Sequence, residues 1–528
     1  MYPRINLPVL CLFVFVSGCA YAQGPEAGAG LTITPQQFGA TGNGQTDDTN
    51  AIQSAINALP SGATLNFGDA SKTYLISRML ILKPSAAYAG EATIRLRSSA
   101  SLGTVMAALM SGGSDDVTVT GLTFDANKVG EGLALGVQGS DGTPVRNVSI
   151  VNVTFRNTLA TATGNTGAAL YDPSGLENAT ISGNTFLQCG SGISIANADN
   201  VTIANNTFTN ITAGDAIFLV FKDKSWQYGE GIQITGNRGQ SLTRMAIELW
   251  ASGPTKVKTP LIANNTFSNW TPQAGGTFGI SVMTGTGAQL TGNVISAGIT
   301  GPRFGLEIGA PSSQISQNTI TGFDIGIALH DCHDSTVAGN MLASQLDTGI
   351  QVTNAPGSKE NLTIHSNNIW YPKQFGIMIN DSDWGGSSVL WNNIMRAAGE
   401  YSDDNNLFFQ GIASTPPNSP VTVSHNLVFQ FGQNPPPGFR FAGIRLNGFS
   451  GANASSVYDS NTVISTGTLS NTIGLYAGSP GSADGVTVSN TLFELLNSVS
   501  GGATSPGVLK KNNKVVNCLL QGPIQLTQ

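Results

Sequence analysis

Gly183-Asn184-Thr185-Phe186 is followed 22 residues later by Asn205-Asn206-Thr207-Phe208, and the same short phrase recurs along most of the chain. It returns as Asn264-Asn265-Thr266-Phe267, Gly292-Asn293-Val294-Ile295, Gln317-Asn318-Thr319-Ile320, Gly339-Asn340-Met341-Leu342, Ser366-Asn367-Asn368-Ile369 and Ser460-Asn461-Thr462-Val463. From Asn293 to Asn318 is 25 residues and from Asn318 to Asn340 is 22. A recurrent period of this length marks stacked structural units. Alternating runs such as Val201-Thr202-Ile203 precede many phrases, and a second short strand of the form Gly-Ile-x-Ile often follows. Period-2 alternation sends every second side chain inside. The Asn suits a tight bend because it tolerates left-handed φ and bonds its own backbone. Stacked at one corner of successive coils, such amides can bond one another in a ladder and escape burial without partners. One coil of a parallel β-solenoid per repeat is the predicted fold, all-β throughout. Many phrases also match Asn-x-Ser/Thr, but the fold accounts for their number and no glycan is read from them.

Composition agrees. The 528 residues are 40% hydrophobic but only 10% charged, so surface polarity comes from Asn, Ser, Thr and 65 Gly. So little charge excludes a charge-driven disordered chain. A net charge of −7 leaves no basic footprint for nucleic acid. Only 4 His and 5 Cys exclude a large metal or haem protein. Rossmann, P-loop, serine-hydrolase and zinc-spacing motifs are absent.

Composition and period alone fit several β-solenoids. The opening Phe38-Gly39-Ala40-Thr41-Gly42-Asn43-Gly44-Gln45-Thr46-Asp47-Asp48-Thr49, followed by Ala51-Ile52-Gln53-Ser54-Ala55-Ile56, resembles the start of the pectate-lyase-like superfamily. With the Asn repeats the resemblance covers roughly residues 33–495. It implies a single-stranded right-handed parallel β-helix, and a carbohydrate-active protein that is a hydrolase, lyase, epimerase or tailspike. The residues of the opening support a capping helix. Thr49 or Asn50 can cap it, Ile52, Ala55, Ile56 and Leu59 share one face, and Pro60-Ser61-Gly62 ends it. Laid over the first coil, that face hides the apolar interior. Asp47 and Asp48 are read as capping and dipole partners of this helix.

Aligning the second strands on their Gly/Ala-Ile core orders the outer surface. Gly192-Ile193-Ser194-Ile195, Ala216-Ile217-Phe218-Leu219, Ala246-Ile247-Glu248-Leu249, Gly279-Ile280-Ser281-Val282, Gly305-Leu306-Glu307-Ile308, Gly326-Ile327-Ala328-Leu329 and Gly349-Ile350-Gln351-Val352 all carry aliphatic second and fourth residues. Those face the interior, so third and fifth residues face out. The third column then places Glu248 and Glu307 two coils apart, near 9–10 Å at the backbone, with Ser281 between them. Carboxylates on flexible stems at that spacing can reach the roughly 6.5–9.5 Å of inverting glycosidases. One acid would protonate the leaving oxygen and the other activate water. The fifth column holds Trp250, suited to stacking on a sugar face, and His330, suited to proton transfer. Four residues before the third column stand Arg244, Thr277, Arg303, Asp324 and Asp347, with the arginines placed to orient a carboxylate or clamp an anionic sugar. Asp215, one residue before Ala216, is a further carboxylate candidate.

The candidate catalytic residues are therefore Glu248, Glu307, Asp324 and His330. Candidate substrate-binding residues are Arg244, Arg303, Trp250, Trp226, Tyr228, Trp270 and Lys222. The segment Phe221-Lys222-Asp223-Lys224-Ser225-Trp226-Gln227-Tyr228 brings aromatics and charges into a charge-poor chain, as long loops walling a cleft do. The plain alternative is that Glu248 and Glu307 are solvated, that Arg/Glu pairs are surface ion pairs, and that the aromatics cover coil edges. The first functional expectation is a glycoside hydrolase acting on a polysaccharide or oligosaccharide with no cofactor. The second is a polysaccharide lyase acting on a uronate-containing glycan, with Ca²⁺ or arginine neutralising the uronate. The third is a non-catalytic glycan-binding or adhesive solenoid. The Asn-x-Asp, Gly-His-Gly and Arg-x-Lys signatures of the polygalacturonase-like branch do not occur together. Whether the chain forms a homo-oligomer is left open.

Residues 1–22 read as an export signal, with Arg4, an apolar Leu7 to Val16, and Ala20-Tyr21-Ala22 before the cleavage point. Val16-Ser17-Gly18-Cys19 also resembles a bacterial lipobox, which would leave Cys19 lipidated. A secreted or periplasmic protein, or an outer-surface lipoprotein, is expected. No other stretch approaches the roughly 18 apolar residues of a membrane span. A linker over 23–32, a β-helix over 33–520 and a tail over 521–528 complete the organisation. The remaining Cys189, Cys332 and Cys518 are read as buried small hydrophobes, since their odd number and wide spacing do not make a disulfide framework.

Overall fold

The computed structural model describes residues 30–521 except 110–114, 137–143, 161–166, 223–228, 252–256, 272–276, 299–302, 354–360, 381–385, 396–402, 411–420, 430–439, 448–454, 466–471, 478–485, 496–513 and 517–518. One coil shows how the others are made. Ala198–Ala204 runs in the first sheet (A), the chain bends at Asn205 and Asn206, Thr207–Ile211 runs in the second (B), and Ile217–Phe221 runs in the third (C). Each strand pairs in parallel with its counterpart one coil on, as in Ile203↔Ile234, Phe208↔Gly239 and Leu219↔Leu249. The alternation read from the sequence holds: Ile203, Phe208, Ile217 and Leu219 are all fully buried. Phe124, Phe155, Phe186 and Phe208 stack ring on ring through the interior, with centroids 5.5, 5.2 and 4.7 Å apart. Glycine opens the Gly-Ile-x-Ile strands because the coils nearly touch there. A Cβ on Gly305 would lie 2.3 Å from Ile320 Cγ2 and 2.6 Å from the Gly326 carbonyl oxygen.

The A-to-B corner carries the expected ladder, unbroken from Asn184 through Asn206, Asn237, Asn265, Asn293, Asn318, Asn340, Asn367, Asn392 and Asn426 to Asn461. Each amide donates to the carbonyl oxygen of the next and to a backbone carbonyl, as Asn318 Nδ2 does to Asn340 Oδ1 (3.0 Å) and Leu290 O (3.0 Å). The conformational detail differs from the expectation. Left-handed φ belongs to the residue before each ladder Asn, such as Gly183, Asn205, Gly292 or Gln317, while the ladder Asn turns inward. The bend frees the next residue's side chain to point into the stack.

The helix α1 (Thr49–Ala58) closes the first coils with Ile52, Ala55, Ile56 and, just beyond its end, Leu59 in the core. Gln53 pins it, accepting from the Ile81 N–H at 2.8 Å and donating to the Ile81 carbonyl at 3.1 Å. The N-cap is Asp48 rather than Thr49 or Asn50, its carbonyl accepting from the Ile52 N–H at 2.9 Å, but of the two acids only Asp47 uses its side chain at the helix start, accepting from the Thr49 N–H at 3.1 Å. Asp48 turns back to the Thr41 and Gly42 N–H groups at 2.7 and 3.1 Å, so it fixes the glycine-rich loop. Among the described residues, no helix is long and apolar enough to cross a membrane. Cys189 and Cys332 are buried and unbridged, and burial pushes the Cys189 thiol up to about 12.

One interior carboxyl makes stability pH-dependent. Asp172 pairs in register with Ile195, an inward position. Its Oδ1 accepts from Ser174 N, Ser174 Oγ and Gly175 N at 2.9, 3.0 and 3.1 Å, while Oδ2 is buried without a partner. Burial pushes it up to about 7, against the opposing bonds from Ser174 and Gly175. The folded state therefore binds this proton more tightly than the unfolded state. Its contribution is full below about pH 4 and is lost as pH rises through about 7. At three pH units the loss is at most roughly 4 kcal/mol. The melting temperature of the wild type should fall between pH 5 and 8 more steeply than that of Asp172→Asn. Equal slopes in differential scanning fluorimetry would refute this.

Candidate active site

Sheet C presents its outer face as the sequence alignment requires. Its strands include Ile247–Ala251, Phe278–Val282, Phe304–Ile308 and Ile325–His330. Backbone pairing sets Phe218 beside Glu248, Glu248 beside Ser281, Ser281 beside Glu307, and Glu307 beside Ala328. Glu248 and Glu307 thus stand on one outer wall, two strand spacings apart, about 9–10 Å at the backbone. Their neighbours in sequence, Ile247, Leu249, Leu306 and Ile308, are fully buried inside.

The two Arg-x-x-x-Glu segments do different things. Arg244 reaches back one coil: its Nη1 pairs with Asp215 Oδ2 and also lies 2.9 Å from Glu248 Oε2. The second contact is close but out of line with the N–H, so Glu248 Oε2 is buried without a hydrogen-bond donor. Asp215 is fully buried, and its other oxygen accepts from the Met245 N–H at 3.0 Å. Burial pushes Asp215 well above the usual carboxylate range. The Arg244 guanidinium opposes this and the neighbouring Glu248 carboxyl reinforces it. Arg303, by contrast, is exposed, with its guanidinium 4.7 Å from the Phe304 ring centroid.

Glu307 is held from its own side. Ser281 Oγ donates to Glu307 Oε2 at 2.7 Å, so this serine orients the acid as well as leaving space beside it. His330 Nε2 stands 3.7 Å from Glu307 Oε1, beyond hydrogen-bond length, and its ring meets Phe304 edge-on at 5.9 Å. Burial lowers the His330 imidazole below its ordinary value and outweighs the opposing pull of Glu307, which leaves it mainly neutral at pH 7. Asp324 is half-buried one coil beyond Arg303. Desolvation and Asp347 raise it while Arg303 lowers it. Phe304, Ile325 and Ala328, with Phe278 against them, form a small apolar cluster separate from the core. These outer aromatics were not anticipated, although Phe278 and Phe304 precede Gly279 and Gly305 just as Asp215 precedes Ala216.

Trp250 projects from this wall, 41% exposed. Lys222 is exposed at the end of the Ile217–Phe221 strand, its backbone N–H donating to Asn197 Oδ1 at 3.1 Å. Trp270 does not line the wall. It is 2% exposed, in register with Leu242, and its indole N–H donates to the Arg244 carbonyl at 3.0 Å. Left-handed Asn269 breaks the alternation after Phe267 and turns the next side chain inward, so Trp270 packs edge-on to Phe323. It supports the Arg244 backbone from within. Trp226 and Tyr228 lie outside the described residues. No cluster of three or more His, Cys, Asp or Glu suited to a metal ion occurs among the described residues.

A family model described as "Right handed beta helix region" matches residues 107–295 and 245–428, more than half of the chain. The chain belongs to the right-handed β-helix family. The right-handed β-helix is the fold that the resemblance of the opening residues implied. Among curated proteins, "Depolymerase 1, capsule K30/K69-specific" of Klebsiella phage K5-2 is 52% identical over 52 residues. That match spans 10% of this chain and 6% of the phage protein. Among solved structures, the A-module of the Azotobacter vinelandii mannuronan C-5 epimerase AlgE4 is 17% identical, covering 74% of this chain and 99% of its own, with a TM-score of 0.45. The exopolygalacturonase of Thermotoga maritima is 12% identical, covering 64% and 93%, at 0.43. The tailspike of E. coli bacteriophage HK620, in complex with a pentasaccharide, is 12% identical, covering 93% and 80%, at 0.37.

Proposed function

We propose that this chain is a glycan-cleaving enzyme that hydrolyses glycosidic bonds of a polysaccharide on the outer wall of sheet C. The observation that carries the reading is the pair Glu248 and Glu307, each largely enclosed by its own partners yet facing out, in a chain with 10% charged residues. A solvated surface acid needs no such enclosure. The phage relative, named a capsule-specific depolymerase, supports a polysaccharide as substrate.

The chemistry follows from the two environments. Glu248, enclosed with Asp215, donates a proton to the glycosidic oxygen as the bond from that oxygen to the anomeric carbon breaks. Water enters on the opposite face of the sugar. Glu307, its second oxygen held by Ser281, takes the proton that this water gives up as the new bond forms. Neutral His330 borders Glu307 without neutralising it. Trp250 offers an apolar face to the sugar ring. A uronate-containing glycan cut by elimination is the second reading, favoured by Arg303, whose exposed guanidinium lies over the Phe304 ring where a sugar carboxylate can meet it.

Incubating the purified chain with a panel of neutral and acidic polysaccharides separates these readings. Hydrolysis predicts new reducing ends without new ultraviolet absorbance. Absorbance from unsaturated products would replace it with elimination, and retained binding without product would replace it with an adhesive role.

A further inference from the structure

We propose that Asp215 and Glu248 hold one proton between them beneath Arg244, and that Asp215 is the positioning residue that keeps this proton on hand for the leaving group. The inference rests on the hydrolytic role of Glu248 and extends it one coil down the spiral, to a carboxyl that no substrate can touch.

Three observations converge on it. First, Asp215 is fully buried and Glu248 is 7% exposed, so both carboxyls have left bulk water. Second, the charged groups facing Asp215 among the described residues are Glu248 and a single guanidinium, Arg244, whose Nη1 donates to Asp215 and lies 2.9 Å from Glu248 Oε2. One cation cannot compensate two buried anions, and two carboxylates at a shared site do not both ionise. Third, Glu248 Oε2 is enclosed without an aligned donor. A proton in the Asp215–Glu248 contact supplies the missing bond and brings the net charge of the three groups to zero. Among the described residues, two uncharged groups complete the shell: the Met245 N–H fixes Asp215, and the buried Trp270 indole fixes the Arg244 carbonyl. During turnover the shared proton passes from the pair to the leaving oxygen. The pair is left with an extra negative charge facing Arg244, and a proton from solvent restores it.

Asp215→Asn tests this, because Asn keeps an acceptor for the Met245 N–H while removing the second charge. Infrared difference titration of the uncomplexed protein reads the proton directly and needs no activity. The wild type should show a protonated carboxyl band persisting above pH 6 that is lost in both Asp215→Asn and Glu248→Gln. In the pH–rate profile, Asp215→Asn should shift the alkaline limb at least one pH unit lower and reduce kcat at pH 7 by about 10- to 100-fold, with KM within about two-fold. If no band separates the wild type from Glu248→Gln, the shared proton is overturned whatever the catalytic outcome, and this comparison stands even if Asp215→Asn fails to fold. A band that disappears in Asp215→Asn while the alkaline limb stays in place overturns the positioning role. A band in a chain that cleaves no glycan overturns the catalytic reading of Glu248 and leaves the shared proton standing.

Discussion

Glu307→Gln is expected to reduce glycan cleavage by about 10²- to 10⁴-fold, the range spanned by loss of a general base. Gln is nearly isosteric and its carbonyl oxygen still accepts from Ser281 Oγ, which now donates to Glu307 Oε2 at 2.7 Å. What it loses is the capacity to take a proton from water. The residue sits on the outer wall with interior packing untouched on either side, so folding stability should change by less than about 1 kcal/mol. Initial rates of reducing-end release, with thermal denaturation of the same samples, check both halves. A fall of less than about five-fold would remove Glu307 from the reaction. An unfolded variant would show that this acid is structural.

The largest effect on stability is expected from the ladder, with Asn318→Ala. Asn318 is fully buried. Its Oδ1 accepts from Asn293 N at 3.0 Å and Asn293 Nδ2 at 2.9 Å, and its Nδ2 donates to Leu290 O and Asn340 Oδ1 at 3.0 Å each. Alanine leaves the Asn293 N–H, one proton of the Asn293 amide and the Leu290 carbonyl buried without these partners. At about 1–3 kcal/mol for each orphaned group, the variant should lose roughly 4–6 kcal/mol, in the exceptional range for one substitution. Asn318→Thr should cost about half as much, because a hydroxyl can replace the acceptor. The ladder itself ends that way, with Asn461 N donating to Thr491 Oγ1 at 3.3 Å. Urea denaturation midpoints would show the order wild type, Thr, Ala. A loss below about 1 kcal/mol for Ala would mean the ladder is incidental to folding.

The ladder and the outward acids were legible for one reason: both repeat in a period that the chain advertises. A side chain that recurs every coil at a fixed offset from Gly-Ile reveals its direction by alternation alone, which is why Glu248 and Glu307 fell on the same wall. Legibility ended where alternation breaks. Left-handed Asn269 reverses the direction of Trp270, and counting by twos cannot see a reversed step. The same failure misplaced the left-handed bend by one residue, onto the ladder Asn. Contacts between coils were the other blind spot. Arg244-x-x-x-Glu248 and Arg303-x-x-x-Glu307 look alike in sequence. Asp215, from the preceding coil, stands beside one guanidinium, while the other lies over the ring of Phe304, the next residue in its own segment. Asp215 itself was a candidate only by its place before Ala216, and its burial with Glu248 became visible when the coils were stacked.

The most direct test of the account is the anomeric configuration of the first sugar product, followed by proton nuclear magnetic resonance before mutarotation. Two carboxyls two coils apart, with water admitted between Glu307 and the sugar, predict a product of inverted configuration. A product of retained configuration, or an unsaturated sugar in its place, would contradict it.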